Sequence, residues 1–378
     1  MAYGTVVADQ IQNTTGYTLG AGNATNFKNR LINGACVIDQ RNAGASFTPA
    51  SGDFIVDRWQ YVASQTSKFT AQQNQGSVSL PTGFTNYIGF TSSSAYTLNS
   101  TDYFLLQQKI EGFNIADLGW GTANAKTITL SFQVYSSLTG TFGGVITNNG
   151  ATPSYPFSYS IPVANTWTTI SVTVVGPTTG TWLTNNGIGA YIRFSMGSGS
   201  AGLGTPGAWS ATNYLGVTGQ TNVVSTSGAT FYVTGLQFEV GSYATGFEYR
   251  SINTELTFCQ RYFESTFAQG SAPANNVQST EGGGTSAYSS ANSRTPIQWF
   301  KVTKRTIPTI TFYSPNIAGQ TAGNWMIYCS GWQPADTTLT GGTSQTCFMV
   351  EITRNSAPNY TSFSAYLVGG NWTASAEL

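Results

Sequence analysis

Apolar side chains stand at every second position in many short stretches of this 378-residue chain, with 127–134 and 188–196 as clear examples. Successive side chains of a β-strand point to opposite faces, so this period of two predicts strands with one buried face and one solvated face. Clusters of Gly, Asn, Ser, Pro and Thr separate the stretches. Many short strands divided by such turns are typical of β-sandwiches and not of βαβ units. The sequence therefore predicts an all-β protein.

The chain has little charge with which to cover these sheets. It contains 15 Lys and Arg and 15 Asp and Glu, which make up 8% of the residues, and it contains no histidine. Ordinary soluble domains are about 25% charged. A neutral chain has no general attraction for nucleic acid or for an anionic membrane. The longest apolar run falls far short of the roughly 20 residues of a membrane helix, and the first residues show no secretory signal.

The pattern divides the chain into three parts. Residues 1–33 are polar with short apolar islands and are expected to form an N-terminal arm. Residues 34–250 carry the strands of one large antiparallel jelly-roll sandwich. Residues 251–378 hold a second set of strands and are expected to form a smaller β-sandwich.

Local exceptions to the strand pattern predict specific features. A short helix is predicted over 254–264 at the joint between the two sandwiches, with Asn253 or Thr254 as its N-cap. The buried parity changes within the last strand of the large sandwich, and this change predicts a bulge at Gly235. The triple glycine at 282–284 is interpreted as a loop tip.

Catalytic and metal-binding chemistry have few candidate residues. Without histidine, Ser-His-Asp and Cys-His catalysis are excluded. Glycoside hydrolysis needs two carboxylates across a groove, and the acids of this chain do not cluster in the sequence. A structural calcium would have Asp39, Asp53 and Glu239 as its donors, but no acidic triplet at close spacing. We therefore predict no enzyme, no catalytic residue, no metal site and no other cofactor.

Two pairings between distant residues are open at this point. Arg58 shares the parity of inward-facing positions, so it needs a buried carboxylate, with Glu239 and Glu248 as the candidates. Cys329 and Cys347 form a disulfide if their strands pair closely. The alternative is that all four cysteines are small buried hydrophobic residues.

Aromatic side chains near polar loops are the best candidates for binding. A sugar ring has a flat C–H face that stacks on Trp or Tyr, while its hydroxyl groups bond to Asn, Gln and Ser. The candidate glycan contacts are Trp332, Trp182, Trp209 and Tyr214. The alternative is that these rings cap a core or an interface.

Several segments resemble a known family of virion proteins. They are 33–41 (NGACVIDQR), 56–59 (VDRW), 108–121 (QKIEGFNIADLGWG), 234–241 (TGLQFEVG) and 255–262 (ELTFCQRY). Together they resemble the jelly-roll module of tailed-phage proteins described as tail-fibre-like or host-attachment proteins. The jelly roll of that family is similar to carbohydrate-binding modules. The resemblance covers residues 30–265, and the final stretch also resembles the tail module of such proteins.

The resemblance implies a structural protein of the phage particle, assembled in the host cytoplasm and exposed on the virion. It implies a tail or attachment fibre that binds host surface polysaccharide, works as a homotrimer and contacts phage tail or capsid proteins. A capsid-surface decoration protein or head fibre is the alternative, because it would use the same folds. In such fibres the N-terminal end anchors to the particle and the C-terminal end faces the host, so Trp332 is the first choice for glycan contact. The residues able to insert into the particle are Val6, Val7, Ile11, Tyr17 and Leu19.

Overall fold

A computed structural model describes residues 10–12, 18–20, 27–278, 281–287, 292–295, 297–316, 318–328, 332–353 and 365–378. The chain forms two compact units. The first unit consists of Met1–Val37, Ser46–Ile55 and Trp59–Arg250; the second consists of Ile38–Ala45, Val56–Arg58 and Ser251–Leu378. Two short segments that sequence patterning placed in the large sandwich, 38–45 and 56–58, thus cluster with the second unit.

The first unit is built from short antiparallel strands and 3₁₀ turns. In the described residues its strands are β1 (Gln10–Gln12), β2 (Thr18–Gly20), β3 (Phe54–Val56), β4 (Trp59–Ala63), β5 (Phe69–Gln73), β6 (Ile88–Ser92), β7 (Tyr103–Glu111), β8 (Ile128–Ser136), β9 (Gly140–Thr147), β10 (Ser154–Ile161), β11 (Thr168–Val174), β12 (Ile188–Ser198), β13 (Leu203–Gly204), β14 (Gly216–Val217) and β15 (Thr230–Val240). The 3₁₀ turns are Gln75–Ser77, Gly112–Asn114, Ala116–Leu118, Ser200–Gly202 and Val223–Ser225.

Two sheets of this unit pack face to face. One has the order β10-β9-β12-β7-β4-β3 and the other the order β11-β8-β15-β6-β5. Phe132 on β8 lies 5.0 Å, centroid to centroid, from Phe194 on β12 and also 5.0 Å from Tyr159 on β10. Apolar residues of the predicted parity therefore meet between the sheets, and the predicted antiparallel sandwich is confirmed.

The predicted bulge at Gly235 is present. The register between β15 and β8 shifts between Thr234 and Gln237. Gly235 has a φ of +62°, a conformation that glycine adopts without steric cost. A Cβ atom there would lie 2.7 Å from Cζ of Phe84, so the site excludes a larger residue. The bulge lets Phe231 and Phe238, which have opposite sequence parity, both be buried.

In its described residues the second unit has ten strands and one α-helix. They are α1 (Ile252–Gln260), β16 (Phe263–Ser265), β17 (Glu281–Ala287), β18 (Asn292–Arg294), β19 (Gln298–Trp299), β20 (Thr309–Tyr313), β21 (Met326–Tyr328), β22 (Trp332–Pro334), β23 (Thr337–Thr343), β24 (Cys347–Thr353) and β25 (Ala365–Ser375). The early part of β25 pairs with β17 and β21, and its later part pairs with β16 and β20. Phe312 on β20 and Phe348 on β24 pack in the same hydrophobic core, with 6.3 Å between their ring centroids.

Two local predictions for this unit were wrong in detail. The helix runs from Ile252 to Gln260 and not over 254–264, because the Ser251 side chain accepts the Thr254 backbone N–H and begins the helix earlier. The glycines at 282–284 lie inside β17, where their backbone pairs with β25. Among the described helices, none is long and apolar enough to cross a membrane.

Candidate functional site

A groove lies on the outer face of the six-stranded sheet of the first unit. It has a volume of about 420 Å³. Because strand side chains alternate, β4, β7 and β12 bury one set of residues in the core and direct the other set into this groove. We call it the polar groove; it is lined by Ser51, Gly52, Gln60, Val62, Tyr103, Leu105, Gln107, Lys109, Tyr191, Arg193, Asn213 and Leu215.

A line of hydrogen bonds fixes the side chains of the groove across three strands. Arg193 Nε donates to Gln107 Oε1 at 3.1 Å, and Gln107 Nε2 donates to Gln60 Oε1 at 2.9 Å. Gln60 Nε2 then donates to the Gly52 carbonyl at 2.9 Å. Each amide keeps a second N–H and a second lone pair. The groove therefore presents oriented donors and acceptors to a ligand.

The remainder of this sheet face is closed by the segment that carries β13 and β14. Val217 is fully buried against Gly143, where a Cβ atom would lie 2.5 Å from Val217 Cγ2. Gln220 Nε2 donates to Ser195 Oγ at 2.8 Å and ties this segment to β12. Only a residue without a side chain at position 143 allows so close an approach. The covering segment thus forms one wall of the groove, through Asn213 and Leu215.

A second cleft lies on the outer face of the five-stranded sheet. It has a volume of about 560 Å³, and no charged side chain is among the described residues that line it. Phe84, Phe247 and Tyr249 form its aromatic side, with centroid distances of 5.1 Å for Phe84–Phe247 and 5.0 Å for Phe247–Tyr249. Tyr249 is 60% exposed. We call this the aromatic cleft; its chemistry suits stacking and not charge recognition.

Trp182, which was predicted to contact glycan, is packed against other aromatic rings. It is 8% exposed, and its indole N–H donates to the Thr179 carbonyl at 3.1 Å. Its ring lies 4.7 Å from that of Trp120 and 5.6 Å from that of Trp209. Little of the Trp182 ring is exposed to a ligand. Its geometry therefore fits a ring that caps a core better than it fits a glycan contact.

Trp209 and Tyr214 are half-buried, and neither lines the polar groove. Trp209 donates its indole N–H to the Val175 carbonyl at 2.7 Å and packs on Tyr155 with 5.2 Å between centroids. Tyr214 covers Gly204, whose Cβ would lie 2.5 Å from the Tyr214 ring. The neighbours of Tyr214 in sequence, and not Tyr214 itself, line the groove. A glycan contact by these two rings stays a prediction.

The other sequence-predicted residues are only partly described. Trp332 lies in β22, where its backbone pairs with Tyr328, so it is in a strand and not a loop. The backbone of Ile11 pairs with that of Leu19 in the β1–β2 hairpin. Val6, Val7 and Tyr17 lie outside the described residues, and their anchoring role stays a prediction.

The predicted partner of Arg58 was wrong. Arg58 is buried, but it pairs with Glu377 and not with Glu239 or Glu248. The strand parity does not reach Arg58, because β3 ends at Val56 and Arg58 lies in the following turn with a φ of +72°. Its guanidinium lies 3.6 Å from the Tyr262 ring centroid.

The three candidate calcium donors each serve a local hydrogen-bond network. Asp39 accepts the backbone N–H of Asn42 and of Gly44, both at 2.8 Å, and Asp53 accepts that of Ala50 at 2.8 Å. Glu239 accepts the backbone N–H and the hydroxyl of Thr245. Within the described ranges, no group of three or more His, Cys, Asp or Glu side chains could hold a metal ion.

The cysteines in the described residues are free thiols. Cys36 and Cys259 are buried, and Cys347 is partly exposed. Burial raises the pKa of the Cys259 thiol well above its ordinary value, so it stays protonated. Cys329 lies outside the described residues.

Similarity to known proteins is confined to solved structures and is low. The enzymatically active domain of tailspike protein 4 of bacteriophage CBA120 matches at 13% identity and a TM-score of 0.31, over 57% of this chain and 22% of that chain. A CBM4 structure matches at 17% identity and 0.27, over 55% and 98%. The family 11 carbohydrate-binding module of a Clostridium thermocellum cellulase matches at 15% identity and 0.25, over 52% and 100%. No protein-family profile and no curated protein matches.

Sequence reasoning missed the residues of the polar groove. The alternation over 188–196 singled out the buried members of β12, and Tyr191 and Arg193 stand on its other parity. The signal available in the sequence was an aromatic residue, Tyr191, two positions before a cation, Arg193, in a strand otherwise poor in charge. The strands that supply Gln60 and Gln107 are distant in sequence from β12, so their meeting depends on sheet order.

Proposed function

We propose that this protein is a non-catalytic, glycan-binding structural protein of a tailed-phage particle, and that the polar groove of the first unit is its sugar-binding site. The line of hydrogen bonds from Arg193 through Gln107 to Gln60 carries the proposal. It holds the half-exposed Gln60 and Arg193 in fixed directions on either side of the buried Gln107, and fixed polar groups are what sugar recognition requires. Tyr103 and Tyr191 add aromatic surface to the same groove.

The placement of the acidic residues supports a role without catalysis. Glu264 pairs with Lys304, Glu377 with Arg58, and Glu248 with Arg250. No carboxylate is among the described residues that line either the polar groove or the aromatic cleft. A glycoside hydrolase needs two carboxyl groups facing the bond that it cleaves. Incubation with host surface polysaccharide should therefore release no reducing ends.

The groove is tested by removing its polar and aromatic groups. We expect Gln60→Ala and Tyr103→Ala to reduce binding of the full chain to host surface polysaccharide by about tenfold each, since one hydrogen-bonding or stacking group contributes about 1–2 kcal/mol. Phe113→Ala is the matched control, because Phe113 is 59% exposed on the same unit and lines neither cavity. If Phe113→Ala weakens binding as much as the groove variants do, the groove is not the site.

On the particle, we propose a homotrimeric tail or attachment fibre anchored through residues 1–33, because three copies would multiply weak sugar binding through avidity. Deleting residues 2–26, which spares Asn29 and its hydrogen bonds to Leu236 and Phe238, should leave folded protein that no longer enters particles; normal copy number would contradict the anchoring role. The second candidate is a capsid-surface decoration protein or head fibre. Labelled protein imaged on the particle separates the two, since signal on the head contradicts the tail position.

A further inference from the structure

Arg193 is held in place by two neighbours, yet its outer nitrogens have no protein partner. Its Nε donates to Gln107, and its guanidinium carbon lies 4.3 Å from the Tyr191 ring centroid. In the described part of the chain, no carboxylate lies within ion-pair distance of Arg193, and its two Nη nitrogens donate no hydrogen bond to the protein. These nitrogens present a fork of N–H donors in a fixed orientation.

Five other arginines of the chain differ from Arg193, because each of them pairs with a carboxylate. Arg58, Arg250 and Arg294 each pair with a carboxylate, respectively that of Glu377, Glu248 and Glu351. The same holds for Arg30 with Asp117 and for Arg41 with Asp57. In a chain with equal numbers of acids and bases, Arg193 lies in a groove without a carboxylate.

Two basic side chains line the groove. Lys109 lines it together with Arg193, and no acidic side chain is among its described lining residues. Burial lowers the pKa of the Arg193 guanidinium from its ordinary value, with the nearby Tyr191 and Tyr103 opposing this shift. A cation that has lost part of its hydration and has no counter-ion is stabilised when an anion binds.

We propose that the polar groove selects an acidic sugar, and that the two Nη nitrogens of Arg193 bind the sugar carboxylate. The pairing of guanidinium with carboxylate is bidentate and charge-assisted, so it favours a charged sugar over a neutral one of the same shape. The second amide N–H of the half-exposed Gln60 bonds to a sugar hydroxyl. This inference rests on the proposed function, because it names the class of glycan for that groove.

The test uses pairs of sugars that differ only in charge. Hexasaccharides containing galacturonate, glucuronate or N-acetylneuraminate are each compared with a derivative whose carboxyl groups have been reduced to alcohols. Binding to the full chain is measured by calorimetry at low salt. We expect at least one acidic hexasaccharide to bind tenfold or more tightly than its reduced derivative.

Two variants assign that preference to Arg193. Arg193→Gln keeps a planar polar group without charge, so the affinity for the acidic sugar should fall at least tenfold more than the affinity for the reduced one. Gln107→Glu places a carboxylate beside Arg193 as an internal counter-ion and should have the same effect. Thermal unfolding of both variants checks that the fold is retained.

Each other outcome has a definite meaning. If acidic and reduced sugars bind equally and Arg193→Gln weakens both, the groove binds glycan but the selection for acid is refuted. If dextran sulfate binds as tightly as the preferred acidic sugar, the groove responds to charge alone and the carboxylate assignment is overturned. If no sugar in either form binds, both this inference and the proposed sugar site are wrong.

Discussion

Each unit contains a buried charged side chain, and the two are satisfied in different ways. In the first unit the buried carboxylate of Asp102 is held by neutral donors, namely the Asn99 backbone N–H at 2.8 Å, Ser64 Oγ at 2.8 Å and the Tyr96 hydroxyl at 2.9 Å. In the second unit Lys304 and Glu264 form a buried pair at 2.5 Å. The difference teaches that one chain can satisfy a buried charge either with neutral hydrogen-bond donors or with an opposite charge.

Ion pairs also explain why the second unit includes segments that are distant in sequence. Arg41 bonds to Asp57 at 2.9 Å and to Glu377 at 2.7 Å, and Glu377 bonds to Arg58 as well. The Arg41 guanidinium lies 3.7 Å from the Phe263 ring centroid. Segments 38–45 and 56–58 thus have charged and aromatic partners within the second unit. The comparison predicts that substitutions and pH act differently on the two units.

The largest effect is expected at the buried ion pair of the second unit. Lys304→Met leaves the Glu264 carboxylate, which is 1% exposed, without its counter-ion and should destabilise the unit by about 3–5 kcal/mol. Hydrogen exchange of the β20, β24 and β25 amides measures the loss. The matched control is Lys126→Met, whose ion pair with Asp117 is about half exposed and should contribute less than about 1 kcal/mol.

A double variant makes that test specific to charge. Lys304→Met combined with Glu264→Gln removes both charges and should recover most of the stability, because a buried pair often can be replaced at little net cost. If the double variant is no more stable than Lys304→Met alone, lost packing and not the unpaired carboxylate is responsible.

The next effect is a pH dependence of the second unit. Burial is the largest cause that raises the pKa of Asp57, to about 6 from 3.8, although Arg41 acts in the opposite direction. The folded state then holds a proton that the unfolded state releases, so stability should fall by about 3 kcal/mol as pH rises from about 4 to 7. Asp57→Asn should remove this slope in urea unfolding. A slope of the same size in the variant would show that another group causes it.

The first unit should show the opposite sign at a lower pH. Burial acts to raise the pKa of Asp102, but the hydrogen bonds from Asn99, Ser64, Tyr96 and Gln65 outweigh it and lower the pKa to about 2. Its stabilisation is therefore present above pH 4 and is lost as pH falls toward 2.

Asp102→Asn tests this smaller effect. We expect it to cost about 1 kcal/mol at pH 7, the net worth of an ordinary hydrogen bond, and close to nothing at pH 2. Hydrogen exchange in β7 at neutral pH and the acid midpoint of unfolding measure it. An equal cost at both pH values would mean that shape, and not the carboxylate charge, matters at this position.

Much of the fold follows from the sequence, because alternation and turn chemistry act locally. The strand predicted over 188–196 lies within β12, and the bulge at Gly235 has its predicted position. The glycines at 282–284 were misassigned because pairing with β25, far away in sequence, overrides their weak strand preference. The polar groove could not be predicted, since its hydrogen bonds join β4, β7 and β12 in a register that only the folded sheet defines.

The second unit combines early and late segments of the chain, and this constrains the order in which it can form during synthesis. Arg41 emerges from the ribosome long before Glu377, which is 336 positions later in the chain. Until then the early segments 38–45 and 56–58 lack that carboxylate, although every residue of the first unit has already been made. On a ribosome that has paused after position 250, segments 38–45 and 56–58 would therefore lack their partners. They would be accessible to a chaperone.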